Sequence, residues 1–130
     1  MITFRVETSL GIVVTTWKGK VSNADLISAY TKLFEDPAFQ PGFHELLDVS
    51  EADMVEVSGE GLRKLELFIE SQTPDSVGEF KTAVVAPEDL SFGLARMYGF
   101  YSDDSSEAVR VFRDSEKALD WLGAPRELLS

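Results

Sequence analysis

Apolar and polar residues alternate from Ile2 to Glu7, with Ile2, Phe4 and Val6 on one side and Thr3, Arg5 and Glu7 on the other. A period of two predicts a strand with one buried face. From Gly11 to Gly19 the chain is β-branched and aromatic (Ile12, Val13, Val14, Thr15, Thr16, Trp17), which predicts a second strand. The short Ser9-Leu10-Gly11 connection makes the two an antiparallel hairpin. The period then changes. Ser22-Asn23-Ala24-Asp25 reads as a helix start, with Ser22 as cap and Asp25 in the place a capping box gives to Glu. Leu26, Ile27, Tyr30, Leu33 and Phe34 form the apolar stripe, and Pro37 and Pro41-Gly42 close the helix.

Phe43 to Val49 has an apolar centre and predicts a third strand, followed by an acidic loop over 50–58. Ser58 is placed to cap a helix whose buried stripe is Leu62, Leu65, Phe68 and Ile69. Thr73 to Gly78 is a polar turn. Lys81 to Ala86 predicts a fourth strand, and a helix follows from about Glu88 to Ser102. Ala108 to Phe112 is the last strand. Asp114 or Ser115 caps a final helix carrying Ala118, Leu119, Trp121 and Leu122, stopped at Gly123 and Pro125. The order β-β-α-β-α-β-α-β-α predicts a single α/β domain over 1–130. Its sheet has about five strands, mixed but mostly parallel, with four helices and right-handed crossovers.

The helix after the fourth strand departs from a simple stripe. Leu90, Phe92, Leu94, Ala95, Met97, Tyr98, Phe100 and Tyr101 spread around more than one face, whereas a helix lying on one side of a sheet needs only one. The surplus suits an apolar pocket or a second subunit. Arg96 among the aromatics can stack, or anchor an anionic group. Phe92, Arg96, Met97, Tyr98, Phe100 and Tyr101 are therefore the candidate ligand or partner residues.

Charge narrows the choice of partner. The chain has 12 Lys and Arg against 23 Asp and Glu, a formal net charge of −11. That argues against nucleic acid, whose phosphates require a basic surface, and against anionic lipid headgroups. With no cysteine, thiol catalysis, disulfides and zinc thiolates are excluded. MITFRVETSL lacks the pattern of a secretory leader, and no apolar run approaches the length of a membrane span, so a cytoplasmic location is expected.

Catalytic patterns are absent. No phosphate-binding glycine loop, nucleophile elbow or zinc-binding helix motif occurs. His44, the one histidine, has no nucleophile or orienting acid at a suggestive spacing and reads as structural or solvent-facing. Asp48, Glu51, Asp53 and Glu56 cluster around the acidic loop but miss the calcium-loop pattern, and read as a solvated face.

Three strings within this element order carry a resemblance: LLDVS at 46–50, KTAVVAPEDLSFGLARM at 81–97 and VRVFRDSEKALDWL at 109–122. Together they resemble the SpoIIAA-like group of STAS-type domains, sometimes labelled STAS/SEC14. The resemblance implies a non-catalytic regulatory or binding domain that meets a partner protein or a small apolar, lipid-like ligand; a homodimer is expected from the surplus apolar residues of the 88–102 helix, and no cofactor is expected. The related anti-sigma-factor antagonists carry a phosphorylatable serine in a turn before the helix that follows the third strand. Ser58 in Ser58-Gly59-Glu60-Gly61 matches that place, which implies a phosphorylation-controlled antagonist as the alternative function. Val57 stands where the antagonists commonly have Asp.

Overall fold

The computed structural model describes residues 1–129. Five strands form one sheet in the order of the chain: β1 (Ile2–Glu7), β2 (Ile12–Ser22), β3 (His44–Glu56), β4 (Phe80–Val85) and β5 (Glu107–Phe112). β1 runs antiparallel to β2, and every later pair is parallel. Helices α1 (Asn23–Glu35), α2 (Gly59–Gln72) and α3 (Asp89–Tyr101) make the crossovers, and α4 (Ser115–Leu122) ends the domain. Because each crossover moves one strand further in the same direction, right-handed connections put α1, α2 and α3 on one face. α4 covers the other. The core divides accordingly. The larger part includes Val13, Trp17, Leu47, Val84 and the inward stripes of α1–α3, and the smaller joins Ile12, Leu46, Ala83 and Val85 to Leu119 and Leu122.

The helix boundaries follow local chemistry. Ser22 accepts from the backbone N–H of Asp25 and the Asp25 carboxylate accepts from that of Ser22, a complete capping box. Gly123, with φ of 69°, supplies the left-handed residue that ends α4.

One stretch differs from the sequence reading. The acidic loop expected over 50–58 is mostly strand: β3 continues to Glu56, and β2 continues past Gly19 to Ser22. The two form a parallel ribbon beyond the point where β4 stops, at Val85 opposite Asp48. Two register shifts accommodate it, between Thr16 and Lys18 and between Lys20 and Ser22. Lys18 faces Glu51 at 3.6 Å and Lys20 faces Glu56 at 3.5 Å, so cross-strand lysines offset the acidity that resembled a loop. Met54 is buried between exposed neighbours, as the alternation of a strand requires.

The ribbon delivers the starts of α1 and α2 side by side. Asn23 Nδ2 donates to Ser58 Oγ at 2.9 Å, and the Ser58 backbone N–H donates to Asn23 Oδ1 at 3.1 Å. Gly61 permits this approach, because a Cβ there would fall 2.0 Å from Asn23 Oδ1. Asn23→Ala and Ser58→Ala should each lower unfolding stability by about 1 kcal/mol. The double variant should lose less than their sum, because each single change already breaks the shared contact. Denaturant titration of the four proteins checks this, and strict additivity would remove the clamp.

Candidate functional site

On the inner face of the sheet, alternation places Glu45 in phase with Leu47 and Val49, and Glu107 in phase with Val109 and Val111. Both carboxylates are buried, yet none of the ion pairs among the described residues involves them. Hydroxyls replace the cation. Thr15 Oγ1 and Tyr30 OH donate to Glu45 Oε2 at 2.5 and 2.8 Å. Thr82 Oγ1 and Tyr98 OH donate to Glu107 Oε2 and Oε1, each at 2.6 Å. The two sets are built alike: a threonine from one strand, a tyrosine from the crossover helix, and a glutamate from the next strand. Burial pushes the Glu45 carboxyl up to about 7, against the pull of the Thr15 hydrogen bond, and also raises Glu107. Burial, and then the adjacent carboxylates, hold both tyrosines as protonated donors.

Tyr30, Glu45, Thr82, Tyr98 and Glu107 form the polar wall of an interior cavity of about 30 Å³, whose apolar lining includes Leu62, Leu65, Met54, Leu94 and Ala95. Trp17 Nε1 is buried against it, near the Tyr30 hydroxyl but without a well-aligned hydrogen bond among the described residues. The space suits a single water, which would give this donor a partner, and is far below the 300 Å³ or so that an ordinary ligand occupies.

α3 divides the candidate residues by their angle around the helix. Ser91, Ala95 and Tyr98 are buried, so Tyr98 belongs to the core polar set and not to an outer surface. Phe92 is half-buried, its ring 4.1 Å from the Arg113 guanidinium carbon. Tyr101 lies under Arg63, and its hydroxyl, with Met97 Sδ, closes on Gly59 at the start of α2. Leu90, Met97 and Phe100 form an outward stripe and are 55%, 39% and 77% exposed. Exposed Arg96 stands beside it with no ion pair among the described residues. Between α3 and β5, whose outer edge carries no further strand, opens a cleft of about 480 Å³ bordered by apolar Phe92, Phe100, Val109 and Val111 and by charged Arg96, Asp103 and Arg110.

Elsewhere the sequence candidates occupy simpler roles. Ser58 is exposed at the start of α2, and its Oγ accepts from both Asn23 Nδ2 and the Gly61 N–H. His44 Nδ1 accepts the Lys81 backbone N–H at 2.9 Å, and burial, followed by the Lys81 charge, lowers its pKa. A neutral histidine thus extends the β3–β4 ladder. Asp48 accepts from both the N–H and the hydroxyl of Ser50, and no three acidic or histidine side chains among the described residues converge to hold a metal ion. Sequence reasoning missed Glu45 and Glu107, although their phase with the apolar residues of their own strands marks them as inward-facing.

Comparison with solved structures places this architecture. The crystal structure of an uncharacterized protein of the DUF3478 family, from Shewanella loihica PV-4 and with a SpoIIAA-like fold, superposes with a TM-score of 0.60 at 20% identity, covering 93% of each chain. The chain has a SpoIIAA-like fold. No family model and no curated protein matches its sequence. No helix among the described residues is long and apolar enough to cross a membrane.

The buried acid predicts a pH dependence. An unfolded Glu45 loses its proton near 4.5, whereas the folded one keeps it to about 7. Between these values folding takes up a proton, so this group makes the fold less stable as pH rises, by a total on the order of 3 kcal/mol. His44, with its pKa lowered, acts in the opposite sense below 6.5. Glu45→Gln should therefore gain on the wild type by a few kcal/mol as pH climbs through that window, a comparison that cancels the His44 contribution. Denaturation at several pH values measures it, and a constant difference would mean Glu45 titrates normally.

Proposed function

We propose that the protein is a non-catalytic binding module that docks a partner protein over the outward face of α3 and into the cleft beside β5. The observation that carries this reading is Phe100: a large aromatic, 77% exposed, on a helix whose opposite side is fully engaged with the sheet. Leu90 and Met97 continue the stripe, and Arg96 adds the cation that, with aromatics, is enriched where interfaces concentrate their energy. The open β5 edge and the adjoining cleft offer a partner backbone pairing and a recess for a side chain. A partner is favoured over a lipid-like ligand because the interior cavity is too small for one unless α2 and α3 part, and the larger cleft beside β5 is bordered by Arg96, Asp103 and Arg110 as well as by apolar side chains.

The test places a photo-crosslinking phenylalanine at position 100 in cells, with position 60 on α2 as an exposed control. A discrete adduct at 100, absent at 60 and lost with Arg96→Glu, is expected. An adduct of two 14.4 kDa chains would identify a second copy of the protein as the partner. Matching patterns at 100 and 60 would defeat the proposal. Phe100→Asp should leave stability within about 0.5 kcal/mol, as an exposed side chain does, and abolish capture by the Arg96 face.

A second reading follows from the exposure of Ser58 at a helix start, where a phosphoryl group would meet the free N–H groups of the first turn. It would also displace the Asn23 contact. Phosphopeptide mapping of protein recovered from its own cells should find phosphate on Ser58 if this reading holds, and phosphate confined to other residues would end it.

A further inference from the structure

An acidic recess lies away from α3's outer face, at the C-terminal end of α2. Glu66 and Glu70 project one turn apart from α2, Asp75 follows in the next turn, and Asp104 approaches from the segment before β5. Buried Glu107 forms part of the floor. The cleft measures about 130 Å³, roughly the share of four waters in the liquid.

Three observations distinguish it from a solvated acidic surface. Glu66 is only 5% exposed, yet its one side-chain partner is another acid, the Glu70 carboxyl, and neither it nor Glu70, Asp75 or Asp104 has an ion pair among the described residues. Its carboxyl lines the cleft beside that of Glu70, and the two meet as acceptors unless one carries a proton. Secondly, the negative end of α2 points the same way, and its last turn lacks the basic residue that would offset it. Thirdly, Arg63, the cation whose charge acts on Glu66, is stacked over Tyr101 a turn earlier. Burial first, then repulsion from Glu70 and Glu107, pushes Glu66 up to about 7, with Arg63 opposing.

We propose that this cleft binds an organic cation, an alkyl guanidinium or ammonium group, that bridges Glu66, Glu70 and Asp104. A metal ion fits poorly, because no three of these carboxylates converge on one point. A guanidinium presents donors over a planar fork and can reach separated carboxylates without that convergence. The group can come from a free polyamine or from a basic side chain of another protein. The site is separate from the α3 face and stands whether or not that face binds a partner.

Calorimetry and amide-shift mapping of the full protein with agmatine, and in parallel with a Gly-Arg-Gly peptide, at about 0.15 M salt, test it. Saturable one-to-one binding is expected, with shifts confined to residues 66–75 and 104–107, and tighter above pH 7 than below it, where Glu66 holds its proton. Glu66→Gln and Asp104→Asn should each weaken binding about tenfold, the loss of one charge-assisted hydrogen bond. Glu116→Gln, at a residue paired to Arg126 elsewhere, should leave it unchanged. Preference for agmatine would indicate a free polyamine, and preference for the peptide a protein side chain. No saturation, shifts spread over the acidic surface, or equal competition by Mg²⁺ at matched ionic strength would overturn the proposal. Glu66→Gln relieves a repulsion, so a folded variant is expected, and its thermal transition provides the check.

Discussion

Two carboxylates buried without a cation constrain this domain more than any other feature. An ionised carboxylate in an apolar interior is costly unless hydrogen bonds replace its hydration. Each glutamate here receives two hydroxyls, and each set draws on three elements: β2, α1 and β3 around Glu45, and β4, α3 and β5 around Glu107. A displaced helix would leave a carboxylate short of a donor, so α1 and α3 are held in position by a penalty as well as by packing. Thr82 ties the sets together across the sheet, since it is the register partner of Glu45 while donating to Glu107.

The middle crossover lacks this device. α2 contributes Leu62, Leu65 and Ile69 to the core, and its polar attachments lie at its N-terminus, where Ser58 meets Asn23 and Gly59 meets Met97 and Tyr101. Its one buried carboxyl, Glu66, turns toward the acidic cleft and not toward a donor in the sheet. Apolar packing is not directional, so α2 is anchored at one end and otherwise held by contacts that tolerate small shifts. Of the two helices that roof the interior cavity, α3 is therefore bonded to the sheet through Tyr98, and α2 has no side-chain hydrogen bond to it among the described residues.

Most of the architecture was legible because its signals are local. The Ser22–Asp25 capping box, the Ser58 cap, the Asp114 cap and the Gly123 stop depend on neighbours within four residues, and all appear in the fold. The ribbon from Ser50 to Glu56 was not legible, because what makes it a strand is Lys18 and Lys20 on another segment. The same holds for the site. The excess of apolar residues on α3 showed that some must face outward, but which ones depends on Tyr98 finding Glu107, nine residues along the chain and on β5. That bond fixes the rotation of α3, turns Tyr98 inward and leaves Phe100 in solvent.

The fold then limits where recognition can occur. α4 occupies one face of the sheet and α1–α3 the other, and β1 lies at the far edge from α3. The remaining edge is β5, where unpaired backbone groups sit beside an arginine and an aromatic. Natural sheets usually blunt such an edge with charge or cover. Arg110 points toward α4 and stacks near Phe112 and Trp121, which leaves the α3 side of β5 with half-buried Val109 and Val111. The Arg110 guanidinium is thus drawn toward the face where α4 already gives cover, and on the opposite face the edge is bordered by Phe92, Phe100 and the charged side chains of Arg96 and Asp103.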